Sequence, residues 1–121
     1  MNVLVVEDNK PVSLMLARVI EEAGYGAVLA ADGETALRLF RQRDIAMAIL
    51  DVQLPDLDGF RAAQLIRNEA GDGIPVIIIS GNSGDAWRQQ AMDVGANEFI
   101  SKPIRPSQLT ALLSQYLTQR A

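Results

Sequence analysis

The chain has 121 residues, 49% hydrophobic and 21% charged, a balance that suits one domain folded around its own core. It has no cysteine and no histidine, which excludes disulfides, thiolate and imidazole metal sites, and imidazole general bases. A formal net charge of -4 argues against non-specific nucleic-acid binding; with no bilayer-length apolar run and no signal-peptide pattern, a cytoplasmic setting away from membranes is expected.

The run "NVLVV" (2–6) is short and rich in valine, the pattern of a strand buried on both faces. Glu7 and Asp8 follow it directly. Pro11 suits a first helical turn; Val12, Met15, Leu16, Val19, Ile20 and Ala23 recur at helical spacing, and Gly24 is the stop. "YGAVLA" (25–30) predicts a second, weaker strand. Asp32 can cap a second helix whose inner face is Ala36, Leu37 and Phe40. "IAMAIL" (45–50) predicts the third strand, and after "DVQLPDLDG" a third helix carries Phe60, Ala63 and Ile66 inward.

"IPVIIIS" (74–80) is built from β-branched residues and stops at "SGNSG", which makes it the clearest strand. A weakly amphipathic fourth helix is expected at about residues 84–94, with Trp87, Ala91 and Val94 as its apolar side. "NEFIS" (97–101) predicts the last strand. Pro106 then opens a final helix with Leu109, Leu112, Leu113, Tyr116 and Leu117 on one face.

Strands alternating with helices imply a parallel sheet covered on both faces. With right-handed crossovers the expected α/β fold is doubly wound, its five strands in the order 2-1-3-4-5. No linker or repeat interrupts residues 1–121, and nothing beyond about residue 118 is long enough for an output domain. Ligands of such folds sit at the carboxyl ends of the strands.

At those ends the sequence places Glu7 and Asp8, Asp51, Ser80 and Lys102. Each has an ordinary structural role when taken singly. Acids favour the start of a helix, Asp51 resembles a turn or cap residue, and Ser80 before Gly81 resembles a turn. Together they predict three carboxylates in one cleft. Two carboxylates about 4 Å apart repel by roughly 4 kcal/mol near a protein surface. Such a cluster calls for a cation, and oxygen ligands without His or Cys select Mg²⁺ or a similar ion. A carboxylate is also a competent nucleophile towards phosphorus.

The pieces "LVVEDN", "AILDVQLPDLDG", "IIISG" and "GANEFISKP", with the final helix, resemble a receiver domain of a two-component response regulator or hybrid sensor histidine kinase. The resemblance covers essentially the whole chain and implies a flavodoxin-like (βα)5 fold. Asp51 matches the phosphoacceptor, and Glu7 and Asp8 match the acidic pair that holds Mg²⁺, with the Gln53 carbonyl as a further ligand. Ser80 and Lys102 match the hydroxyl and ammonium that meet the phosphoryl group. Gly81 leaves room for that group. Phe99 occupies the aromatic switch position and is expected to turn inward into space that Ser80 vacates on phosphorylation, and Lys102–Pro103 resembles the family's cis peptide.

Glu7 stands where aspartate is commoner, a variant typical of hybrid-kinase receivers that mildly alters metal geometry. Phe99 stands where many members have tyrosine, so no hydroxyl can report the switch. The implied donor is a phosphohistidine on a histidine kinase or phosphotransfer protein, and the chain's own lack of histidine agrees. The resemblance further implies a signalling phosphoacceptor, not an enzyme acting on other substrates, that dephosphorylates itself slowly. It implies switching, and homodimer contacts, at the fourth helix, fifth strand and fifth helix.

Three other readings use the same fold. A haloacid-dehalogenase-like phosphatase normally carries a second acid where Gln53 stands. A flavodoxin-like flavin carrier would have to place its phosphate against Glu7 and Asp8. A receiver-like binding module that is never phosphorylated needs only the fold.

Overall fold

Four short apolar runs without internal polar residues form β-strands, and the fifth strand comes from "NEFIS", where Phe99 and Ile100 are the apolar pair. In this computed structural model residues 1–56 and 58–117 are described, so the end of the expected domain, 118–121, lies outside them. In chain order the elements are β1 (Asn2–Val6), α1 (Lys10–Glu22), β2 (Gly26–Ala30), α2 (Gly33–Gln42) and β3 (Ile45–Asp51), followed by α3 (Gly59–Ala70), β4 (Val76–Ser80), α4 (Asp85–Asp93), β5 (Glu98–Ser101) and α5 (Pro106–Leu117). The strands pair in parallel in the order β2-β1-β3-β4-β5, the order expected from the sequence.

Period-two alternation divides the apolar residues between two cores. Leu4, Val6, Leu50 and Ile78 pack with Ala36 of α2, with Phe60 and Ile66 of α3, and with Ala91 of α4. Val3, Val5, Ile49, Ile77 and Ile79 pack with Leu16 and Ile20 of α1 and with Leu109 and Leu113 of α5. Central strands buried on both faces leave polar residues room only at their ends. The sheet thus pushes its chemistry to one edge.

The helix signals hold in detail. The Asp32 side chain accepts a hydrogen bond from Thr35 N at 2.7 Å and caps α2, and Gly24 ends α1 with φ +96°. The cap of α1 is Asn9, whose Oδ1 accepts from Val12 N at 3.1 Å. Glu7 and Asp8 therefore lie outside the first turn of α1, and the helix-start role open to them is not theirs. Three strands begin later than their apolar runs: β2 at Gly26, β4 at Val76 and β5 at Glu98. Pro75 has no N–H to give a ladder, although its carbonyl accepts from Ala48 N at 3.0 Å.

Away from the strands' carboxyl ends, Arg67 of α3 ties three segments together. Its guanidinium donates to the carbonyls of Gly71 (2.7 Å), Ile74 (2.8 Å) and Gly95 (2.8 and 3.0 Å) and to Asn97 Oδ1 (2.7 Å). Asn97 Oδ1 also accepts from Val76 N at 2.8 Å, which ties this knot to the start of β4. The planar fork serves several carbonyls at once, which a lysine cannot do. Arg67→Ala is expected to lower stability by about 2–3 kcal/mol, with Arg67→Lys recovering only part. Urea unfolding measures this; a loss below ~0.5 kcal/mol for the Ala variant would mean that water serves those carbonyls as well.

Candidate functional site

The strand ladders hold the backbone of each site residue. Asp51 and Ser80 are the last residues of β3 and β4. Just past β1, Glu7 N donates to Ala30 O at 3.0 Å, and past β5, Lys102 N donates to Ser80 O at 2.7 Å. These bonds carry the sheet pairing one residue beyond the strands, so the side chains converge on a fixed base. The Lys102–Pro103 peptide is cis, as the resemblance implies.

Lys102 Nζ lies 2.6 Å from Asp51 Oδ2 and 3.2 Å from Glu7 Oε2, linking positions 95 residues apart in sequence. Asp51 is 4% exposed, Glu7 2% and Ser80 1%, whereas Asp8 is exposed. Asp51 Oδ1 accepts from Gln53 N at 3.2 Å, and Glu7 Oε1 from Asn9 N at 3.2 Å. Ligand oxygens of Glu7, Asp8 and Asp51 all lie within 4.8 Å of one another. The acidic cluster predicted from separate strand ends therefore forms.

One ammonium does not balance three carboxylates. Glu7 Oε2 is buried and, although within ion-pairing distance of Lys102, receives no hydrogen bond among the described residues. Burial pushes the Glu7 carboxyl above its ordinary value, the Asp51 charge adds to this, and Lys102 with the Asn9 amide offsets only part. For Lys102 burial acts downward, but the hydrogen bond to Asp51 and the charges of Asp51 and Glu7 together outweigh it and raise its pKa. An orphaned buried oxygen beside two more carboxylates fits a hard divalent cation, and Mg²⁺ suits an all-oxygen set.

Two glycines frame the site in opposite ways. A Cβ on Gly59 would collide with the Asp51 carbonyl oxygen and Val52 Cα, so only glycine lets α3 begin against the end of β3. A Cβ on Gly81 would meet nothing within 4 Å, so packing does not demand that glycine and the space beside it is open. Ser80 Oγ accepts from Asn82 N at 3.0 Å.

Phe99 is not where a ring waiting to turn inward would be. It is already 4% exposed, packed in the core of the α2, α3 and α4 side, with the Arg88 guanidinium 5.4 Å from its ring centroid. Alternation along β5 puts Phe99 opposite Ile78, on the α4 side of the sheet. The strand pattern "EFI" carried that information about orientation.

Residues 3–114 match the family model described as the response regulator receiver domain. The chain belongs to that family. A transcriptional regulatory protein of Bacillus subtilis, YcbL, is 36% identical to this receiver domain over 108 residues, which are 89% of the chain and 47% of YcbL. The hybrid signal transduction protein dokA of Dictyostelium discoideum is 31% identical over 117 residues, 95% of the chain and 7% of dokA. The chain thus spans about half the length of such regulators, 47% in YcbL. The structure of the chemotaxis protein CheY4 of Vibrio cholerae superposes with a TM-score of 0.89 at 27% identity, over 96% of this chain and 98% of that one. A receiver domain is a signalling domain of two-component systems. Among the described residues no helix is long and apolar enough to cross a membrane.

Glu7→Gln keeps an acceptor for the Asn9 amide and removes a buried charge from beside Asp51. Without divalent cation at pH 7, this variant of the receiver domain is expected to be more stable than wild type by roughly 0.5–2 kcal/mol. The folded Glu7 binds its proton more readily than the ordinary value of 4.5 implies, so that contribution is complete below 4.5 and lost as pH rises through the folded-state value. The gap between variant and wild type should therefore narrow as pH falls from 7 towards 4.5. Urea midpoints at several pH values measure it; equal stability at pH 7 would overturn the assignment of charge strain to Glu7.

Proposed function

We propose that this receiver domain accepts a phosphoryl group on Asp51, in a Mg²⁺-dependent transfer from a phosphohistidine of a histidine kinase or phosphotransfer protein. The observation that carries the reading is Asp51 itself, buried at a strand end, 2.6 Å from the Lys102 ammonium and within the Glu7–Asp8–Asp51 cluster. A carboxylate oxygen of Asp51 attacks phosphorus; the P–N bond of the donor breaks, its electron pair returns to the imidazole, and an acyl phosphate forms. Glu7, Asp8, Asp51 and the Gln53 carbonyl would hold the ion, whose charge would neutralise phosphoryl oxygens during transfer. Lys102 keeps 28% of its side chain exposed and can follow the negative charge from the carboxylate to the phosphoryl group. Slow attack by water on the acyl phosphate returns Asp51 to its free form and releases inorganic phosphate.

The switch runs through Ser80. If Ser80 Oγ moves towards Asp51 to donate to a phosphoryl oxygen, the bond it accepts from the Asn82 amide lengthens, loosening the segment that leads into α4. Helix α4 is the element free to respond: Ala91 is its one buried residue and Gly84 gives it no side-chain cap. Because Phe99 is already inward, the response is a displacement of α4 over the ring. The α4-β5-α5 face then presents a changed surface to partners or to a second copy, without direct nucleic-acid contact by this domain.

Incubation with Mg²⁺ and acetyl phosphate is expected to add one phosphoryl group, absent from Asp51→Ala. Asp8→Asn should lower Mg²⁺ affinity by roughly tenfold and slow labelling in parallel. Intact-protein mass spectrometry and a Mg²⁺ titration read both, and equal labelling of Asp51→Ala would refute the assignment. Ser80→Ala should still label, more slowly, yet show much smaller amide shifts over residues 84–101 on adding beryllofluoride. Identical NMR patterns in the variant and wild type would remove Ser80 from the switch.

A further inference from the structure

We infer that Asp56 is a positioning residue: its carboxylate fastens the loop between β3 and α3 to the first turn of α2, and so sets how Gln53 and Asp51 present themselves at the site. The inference rests on the Mg²⁺-dependent reading above.

The base of this loop is closed by short-range bonds. Val52 N donates to Ile79 O at 3.0 Å, Gly59 N to Val52 O at 2.8 Å, and Phe60 N to Asp58 Oδ1 at 2.8 Å. Gln53 and Asp58 form an isolated antiparallel bridge. These bonds join the two sides of the loop to each other and anchor its root. They do not fix the angle at which it stands over the sheet edge. Leu54 packs on the core, an apolar contact without direction.

Asp56 supplies the direction. Its Oδ1 accepts from Gly33 N at 2.8 Å and its Oδ2 from Glu34 N at 3.1 Å, contacts that span 23 and 22 positions in sequence. Two oxygens on two successive amides fix rotation as well as position, which a single bond does not. These amides are available because the first N–H groups of a helix have no partner inside it, and Asp32 takes that of Thr35. The positive end of α2 also favours a carboxylate over a neutral acceptor. Asp56 is exposed and so not confined by burial, yet it is placed on both donors.

The consequence reaches Asp51 in two steps. The loop orients the Gln53 amide, and that amide donates to Asp51 Oδ1 at 3.2 Å. If the loop tilts, the donor that holds the Asp51 carboxylate shifts with it, as does the Gln53 carbonyl. Outer hydrogen bonds of this kind orient the groups that meet a metal.

The test compares wild type, Asp56→Ala, Asp56→Asn and Ala36→Gly, the last weakening α2 while leaving the Asp56 bonds in place. In metal-free protein, hydrogen exchange at the Gln53 and Gly33 amides should accelerate in Asp56→Ala and less in Asp56→Asn, which keeps one acceptor. In a MgCl2 titration followed by NMR, Asp56→Ala should bind about tenfold more weakly, the low end for a lost outer partner, and Ala36→Gly should match wild type. Unchanged Gln53 exchange in Asp56→Ala, or equal weakening by Ala36→Gly, would overturn the inference. If wild type itself fails to bind Mg²⁺, the metal reading falls and the exchange result alone decides whether Asp56 holds the loop.

Discussion

Lys102 is shared. Its ammonium meets Asp51 at 2.6 Å and Glu7 at 3.2 Å, with Asp8 close by in the same cluster. The backbones of Glu7 and Asp51 cannot relax apart, because ladder bonds running one residue past the strands fix Glu7 and Lys102, and Asp51 is itself within β3. The excess negative charge is thus stored by the sheet. Buried apolar residues on both faces of the central strands carry the stability that lets the edge remain uncompensated.

The same strand direction sorts the two edges of the sheet by chemistry. At the carboxyl ends, side chains supply the charge, and Glu7 keeps a buried oxygen without a hydrogen bond among the described residues. At the other edge a single guanidinium, Arg67, meets carbonyl oxygens and one amide oxygen and is well served. One edge gathers carboxylates whose charge a cation would relieve, while the other closes the turns that keep the strands in register. The ties differ in kind as well: charge against charge at the first, charge against backbone dipoles at the second.

Much of this was legible from residues alone. The strands declared themselves because parallel pairing buries both faces and leaves unbroken Val and Ile runs such as "VIIIS". The acidic cluster was legible because every member sits at or just past a strand end, where parallel topology brings such positions together. Less visible were contacts whose partners are backbone groups. Arg67 reads as one more helix-surface arginine, and nothing marks the carbonyls of Gly71, Ile74 and Gly95 as its partners. Asp56 reads as a turn residue because the free amides of α2 lie 22 and 23 positions earlier. Helix α1 shows the competition between candidates: Glu7, Asp8 and Asn9 could each start a helix, and only the fold assigns the cap to Asn9. The inward ring of Phe99 follows from strand alternation, against the expectation of a ring that turns inward only on phosphorylation.

The Arg67 knot also sets the mechanics of α4. The Gly95 carbonyl and Asn97 side chain latch the end of that helix to α3 and β4, whereas its start at Gly84, with φ +138°, carries no side-chain cap. Its nine residues make a rod about 13 Å long, latched by hydrogen bonds near its last turn and held in its first turns by the ring contacts of Trp87 and Arg88. The rod is a lever with its fulcrum beside Gly95. A tilt of roughly 10° about that fulcrum carries the first turn about 2 Å and the last turn hardly at all. Any displacement of α4 would therefore be graded along the helix, largest beside Asp85 and Arg88 and vanishing towards Asp93.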